Sequence, residues 1–249
     1  MKIVFKILVT SMLLCIFANA KTLKDGTLTV ATEGTYSPFS YYNEKHKLVG
    51  YDVDIARAIA DELGLKINFV TAPWDAILAA FDAGKADTVL NQVSITDERK
   101  KKYDYTEPYT VAYAALVVRA DNEEIKGFDD LKGKKSAHSA TSNWAKMASR
   151  YGAQIVTVDG FSKGVELVIT KRADATINDN VTYFDYMKQR PKAPLKIIAN
   201  SSEPIYTAAI VKKDNTELLN QMDEALKSLR KKGVLKEISI RYFGEDVSE

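Results

Sequence analysis

Residues 74–92 read WDAILAAFDAGKADTVLNQ, and residues 161–179 read FSKGVELVITKRADATIND. Each opens on an aromatic, reaches KAD or RAD at the same offset, and closes on a β-prone run ending in a polar pair, Asn91-Gln92 or Asn178-Asp179. A helix, a turn and a strand are thus written twice. Any helix–turn–strand unit shares some of these features. If the echo is a true repeat, the chain holds two α/β lobes whose strands end in polar residues. Ligands in open α/β sheets lie beyond the carboxyl ends of the strands, so both pairs are placed to face one cleft.

Working outward, residues 28–32 read as a strand and 66–70 as another. Between them 52–63 reads as a helix, with Ile55, Ile59 and Leu63 on one face and Gly64 as its stop. With helix 73–83 and strand 86–90 this gives β-α-β-α-β, the order of a mainly parallel sheet covered by helices. The alternation returns around the second copy: strand 112–118, helix 145–151, strand 155–158, helix 161–169, strand 173–177. Leu218, Met222, Leu226 and Leu229 then mark an amphipathic helix, and a shorter one follows over 235–242.

The 249 residues suit two modest domains. Lys2 and Lys6, an apolar run over 7–17 and Ala18-Asn19-Ala20 describe a secretory signal peptide, residues 1–20, cleaved after Ala20. Losing Lys2 and Lys6 takes the basic count from 35 to 33, level with the 33 acidic residues. A balanced chain gives no electrostatic reason to expect nucleic acid or an anionic membrane as partner. The single cysteine, Cys15, leaves with the leader, which excludes disulfides and cysteine metal sites. Leu14 before it is larger than the residue that normally precedes a lipid-attachment cysteine, so free release is expected. Enzyme motifs fail: His46 and His138 cannot make a His-rich metal site, and there is no H-E-x-x-H, G-x-S-x-G or G-x-G-x-x-G. GFDDLKGKKS, from Gly127, has one residue too many between its glycines for a phosphate-binding loop.

The first copy runs on into NQVSITDERKKKYDYTEP, residues 91–108. Thr96 caps a helix whose first turn carries Asp97 and Glu98. Ser94 and Thr96 alternate just past a strand end, and Arg99 projects from the first turn. A helix N-terminus, a serine hydroxyl and a guanidinium fork together make a carboxylate receptor. Lysines 100–102 read as a solvated face.

From residue 28 to about 244 the chain resembles the periplasmic amino-acid-binding proteins that feed ABC importers. The carrying segments are TEGTYSPFSY from Thr32, GYDVDIARAIADELG from Gly50, PWDAILAAF from Pro73, Ser94-x-Thr96-x-x-Arg99, and DYTEPY from Asp104. Within that family, residues 91–110, SATSNWAK from Ser139 and NDN from Asn178 look like the cystine- and cysteine-binding members. The resemblance implies an α/β fold of two lobes, each a mainly parallel sheet flanked by helices, joined by a two-strand hinge near residues 109–113 and 203–207. The first lobe is expected to hold residues 21–110 and 207–249, the second the inserted 111–206.

Carried over, the resemblance gives Arg99 and Ser94 the ligand α-carboxylate, with Thr141 assisting from the second lobe. It gives Asp179 the α-ammonium, together with the Gln92 carbonyl. Tyr36 and Trp74 flank the ligand side chain, and Glu33 reads its polar end. His138 falls where residues vary with ligand, and Ala140 stands where many relatives have glycine. By pattern alone Trp74 serves equally as core, Asp179 as the cap of a helix from Val181, and Glu33 and His138 as ordinary surface or structural residues. The implied function is reversible capture of L-cystine or L-cysteine without chemistry or cofactor, by a monomer that delivers to a membrane permease. Alternatives are another polar amino acid (glutamine, histidine, arginine), a sensor module, or a dehydratase-like enzyme with Glu33 as general acid.

Overall fold

The computed structural model describes residues 21–248; the leader reading, with Cys15, lies outside them. Two five-stranded sheets form the two lobes. The first runs, edge to edge, Lys66–Thr71, Thr27–Thr32, Thr88–Val89, Ile210–Lys212, Tyr103–Tyr105. The second runs Gln154–Thr157, Lys135–His138, Ala175–Asp179, Ala114–Arg119, Leu195–Asn200. The strands that end the two sequence copies, Thr88–Val89 and Ala175–Asp179, each take the central position. Each is preceded by its helix, Trp74–Asp82 or Gly160–Ile169. The echo is therefore also one of topology.

The sheets are mixed rather than mainly parallel. Each central strand pairs in parallel on one side and antiparallel on the other. The antiparallel strands come from segments where the chain passes between lobes or returns from the second to the first. One link is the pair Thr110–Ala112 and Ile205–Thr207, antiparallel in register Thr110 to Thr207.

Burial follows the periodicities. Ile55 and Ile59 of helix Tyr51–Glu62 are fully buried with Leu218, Met222 and Leu226 of helix Thr216–Lys231, against Leu28 and Val30 of the sheet. Ile77 and Phe81 of the first-copy helix pack the opposite face, against Ala31 and Val89. Both faces of these central strands are covered, which is why they read as continuous apolar runs.

Helix Tyr51–Glu62 is seated by Gly50. Tyr51 and Asp52 donate their N–H groups to Pro38 O and Phe39 O at 2.9 and 3.0 Å. Gly50 sits at φ 135°, and a Cβ there would lie 2.2 Å from Phe39 O. Gly50→Ala is therefore expected to destabilise the chain by about 2–4 kcal/mol, from backbone strain plus the clash. A urea titration reads this directly.

Candidate functional site

The carboxyl ends of the two central strands face each other across the lobe boundary. A cavity lies there, lined by Glu33, Tyr36, Trp74, Asn91 and Gln92 from the first lobe and by Ser139, Trp144, Gly160, Phe161 and Asn178, among others, from the second. Both tryptophans of the chain, Trp74 and Trp144, are in its wall.

Asn91 organises the first-lobe end. Its Oδ1 accepts from Thr32 Oγ1, the Glu33 N–H and Ser40 Oγ at 2.9, 2.7 and 3.2 Å, and its Nδ2 donates to Glu33 at 2.8 Å. Glu33 is thereby fixed at the cavity wall. Burial pushes its carboxyl up to about 7, against the opposing pull of the Asn91 bond.

Asp179 is 1% exposed at the end of the second-lobe strand. Its Oδ2 lies 3.1 Å from the Tyr36 hydroxyl, which also meets Asn178 Oδ1 at 2.7 Å across the cleft. Its Oδ1 is buried with no hydrogen-bond partner. Burial raises this carboxyl to about 7, with the Tyr36 bond holding it lower than burial alone would. The capping reading fails, since Asp179 makes no side-chain cap bond to helix Asn180–Gln189.

Arg99 comes from the short helix Asp97–Lys100, capped by Thr96 as the sequence suggests. Its guanidinium lies 5.1 Å from the Trp74 ring centroid. Nη1 donates to Ser94 O at 3.2 Å and Nη2 to Thr141 O of the other lobe at 3.4 Å. Desolvation lowers its pKa, and the Tyr103 and Tyr105 side chains oppose that. Ser94 Oγ and Trp74 Nε1 beside it are buried without partners. Leaving a buried polar group unpaired costs about 1–3 kcal/mol. Three such atoms, Ser94 Oγ, Trp74 Nε1 and Asp179 Oδ1, belong to residues expected at the site, and they supply donors on one lobe and a carboxylate acceptor on the other.

Ser94, Arg99 and Asp179 do not line the cavity themselves; Arg99 meets its wall at Trp74 and Asp179 at Tyr36. Two expectations need correction. His138 does not line the cavity: it is 5% exposed inside its sheet, bonded to Ser136 Oγ at 2.7 Å, and burial drops its pKa to about 3. Residues 136 and 138 share one face of a strand, and that face points into the lobe. Thr141 does not present its donors to the cavity. Its N–H and hydroxyl both go to Asp75 Oδ1, at 3.0 and 2.5 Å. Gln92 does border the cavity, and its side chain serves the hinge. Nε2 donates to Asp52 and Thr110 at 2.7 and 3.2 Å, and Oε1 accepts from Thr207 at 3.0 Å. A left-handed backbone at φ 50° directs the Gln92 N–H to the same Asp52 carboxylate.

Asp52 and Asp75 were missed as residues that shape the site. Asp52 is fully buried and raised to about 7 by desolvation, with its Gln92 bonds opposing. Only its place two residues after Gly50 hinted that it faces inward.

Residues 28–245 match the bacterial extracellular solute-binding proteins, family 3. The chain belongs to that family. An L-cystine-binding protein of Bacillus subtilis (strain 168) is 40% identical over 231 residues, 92% of this chain and 86% of its own. Among solved structures, an ancestral arginine-binding protein bound to arginine is 38% identical, with a TM-score of 0.82 over 88% of this chain and 99% of its own. The L-cystine solute receptor of Neisseria gonorrhoeae in its unliganded open conformation is 42% identical, over 90% of this chain and 95% of its own, with a TM-score of 0.60. The more similar sequence superposes less well: its conformation is open, whereas the lobes of this family-3 chain touch across the cleft. The fold is thus the two-lobed periplasmic-binding-protein fold, and the family's members bind solutes rather than transform them.

Proposed function

We propose that the protein captures L-cystine between its lobes and delivers it to an ABC importer permease. The observation that carries amino-acid capture is the opposed pair of buried ionisable groups, Arg99 stacked on Trp74 of one lobe and Asp179 of the other bonded by Tyr36, both aromatics lining the one cavity. A zwitterion removed from water needs both charges matched, because a desolvated unpaired charge is expensive. In this reading Arg99 and Ser94 Oγ take the α-carboxylate and Asp179 the α-ammonium. Each lobe alone satisfies half of the ligand, so ligand favours the closed form.

Cystine is favoured over other amino acids by the two cystine-binding relatives at 40% and 42% identity. The site supports it further: the Glu33 carboxyl suits a second ammonium at the far end, and the walls of Tyr36, Trp74, Trp144 and Phe161 suit a disulfide linker. Arginine is the second reading, favoured by the same Glu33, whose carboxylate also matches a guanidinium. Native mass spectrometry of the chain offered the common amino acids together with L-cystine tests this. A one-to-one cystine adduct is expected, and an arginine adduct instead selects the second reading. The division into residues 21–110 with 207–249 and residues 111–206, and action as a monomer, belong to the same proposal.

Capture should depend on pH. The ammonium pairs with ionised Asp179, whose carboxyl stands at about 7. Below that pH binding must first remove a proton, so Kd is expected to rise about tenfold per unit towards pH 5 and to be flat above pH 8. Stability of the unliganded chain runs the other way. Glu33, Asp52 and Asp179 have ordinary values of 4.5, 3.8 and 3.8 and stand at about 7 when folded. Between these limits the folded chain holds more protons than the unfolded one, so stability falls as pH rises and the loss is complete above 7. Thermal unfolding at pH 5 and pH 8, with and without L-cystine, checks both signs: the ligand-induced rise in Tm should be larger at pH 8.

A further inference from the structure

Among the described residues, four sets of hydrogen-bond or ion-pair contacts join the lobes around the cleft. Glu98 pairs with Lys146 at 2.5 Å and Gln189 donates to Ser37 at 3.0 Å, each a single contact on the exposed rim. The third is the buried Tyr36 hydroxyl with Asn178 and Asp179, and the fourth, also exposed but with three bonds converging on one carboxylate, centres on Asp75.

Asp75 follows Trp74 in the first turn of helix Trp74–Asp82, on the first lobe. Its carboxylate accepts three hydrogen bonds from one turn of the second lobe: the Ala140 N–H at 3.2 Å, the Thr141 N–H at 3.0 Å and the Thr141 hydroxyl at 2.5 Å. The carbonyl of the same Thr141 accepts from Arg99 Nη2 at 3.4 Å. Two first-lobe side chains therefore clasp one second-lobe residue, one at its donors and one at its acceptor. A carboxylate that accepts several N–H and O–H bonds is strongly held.

We infer that Asp75 is a positioning residue for capture: it latches the Ala140–Thr141 turn onto the first lobe, and through the Thr141 carbonyl it sets the guanidinium of Arg99. It touches Thr141 rather than the cavity, so it acts on the closed state and not on the first encounter. The latch forms only when the lobes meet. Its loss is felt when a closed complex reopens.

This inference rests on the proposed capture of an amino acid, and stopped-flow fluorescence of Trp74 and Trp144 with L-cystine tests it. Asp75→Ala is expected to raise the dissociation rate ten- to a hundredfold and leave the association rate within about twofold, with Asp75→Glu recovering part of the loss. Thr141→Val should raise dissociation in the parent and have no further effect in the Asp75→Ala background. An unchanged dissociation rate in Asp75→Ala, or effects of the two substitutions that simply multiply, overturns the latch. A parent chain that captures neither L-cystine nor any common amino acid overturns the functional reading instead. The latch is then tested alone by small-angle scattering, where Asp75→Ala must be more expanded than the parent and an equal radius of gyration refutes it.

Discussion

Asp179→Ala is expected to raise the Kd for any α-amino acid by about 30- to 4000-fold, equivalent to about 2–5 kcal/mol. The loss has two parts. The ammonium of the ligand is left buried without its counter-charge, and the cavity gains a small void where the carboxylate stood. The folded chain itself should be no less stable, because Asp179 is a buried acid with one oxygen unpartnered and its carboxyl raised to about 7. Deleting a strained charge of this kind is often neutral or stabilising. The combination of lost capture with retained or raised Tm separates a binding carboxylate from a structural one. Calorimetry and thermal unfolding on the same preparation provide both numbers. If Tm falls by many degrees and affinity is preserved, Asp179 is structural.

Arg99→Ala carries an expected loss of similar size, again about 2–5 kcal/mol of binding, but through a different chain of contacts. The guanidinium lies over Trp74 and joins Ser94 O to Thr141 O, so its removal strips both the carboxylate partner and one tie between the lobes. Arg99→Lys should restore little, since a single ammonium cannot make two divergent N–H bonds while stacking on indole. Offering the decarboxylated ligand cystamine sharpens the test. The parent should bind it far more weakly than cystine, whereas Arg99→Ala should distinguish the two hardly at all. A variant that still prefers cystine strongly places the carboxylate elsewhere.

Much of the fold was legible because its signals are periodic and long. The helix through Ile55 and Ile59 and the paired copies ending in Asn91-Gln92 and Asn178-Asp179 state two lobes before any coordinate is seen. Strand 112–118 was read but not its antiparallel direction, and the other antiparallel strands of the two sheets were not legible. Tyr103–Tyr105 and Ile210–Lys212 are three residues each, too short to show an alternation, and their pairing depends on where the chain crosses between lobes. At the site, Asn91, Gln92 and Asn178 do line one cavity, as the position of strand ends suggests. The errors concern direction rather than location. His138 lies in the right strand but on the face that points inward, and Thr141 lies in the right turn but has a nearer acceptor in Asp75. No sequence spacing reveals a partner that only lobe contact supplies, which is also why Asp75 went unnoticed.

The central claim, that one polar amino acid is captured between Arg99 and Asp179, is tested most directly by calorimetric titration of the chain after unfolding and refolding to remove carried ligand. L-cystine is added first, then reduced L-cysteine, glutamine, histidine and arginine. A one-to-one heat with L-cystine that disappears in Asp179→Ala is the predicted result. Silence with every amino acid, or equal heats in parent and variant, contradicts it.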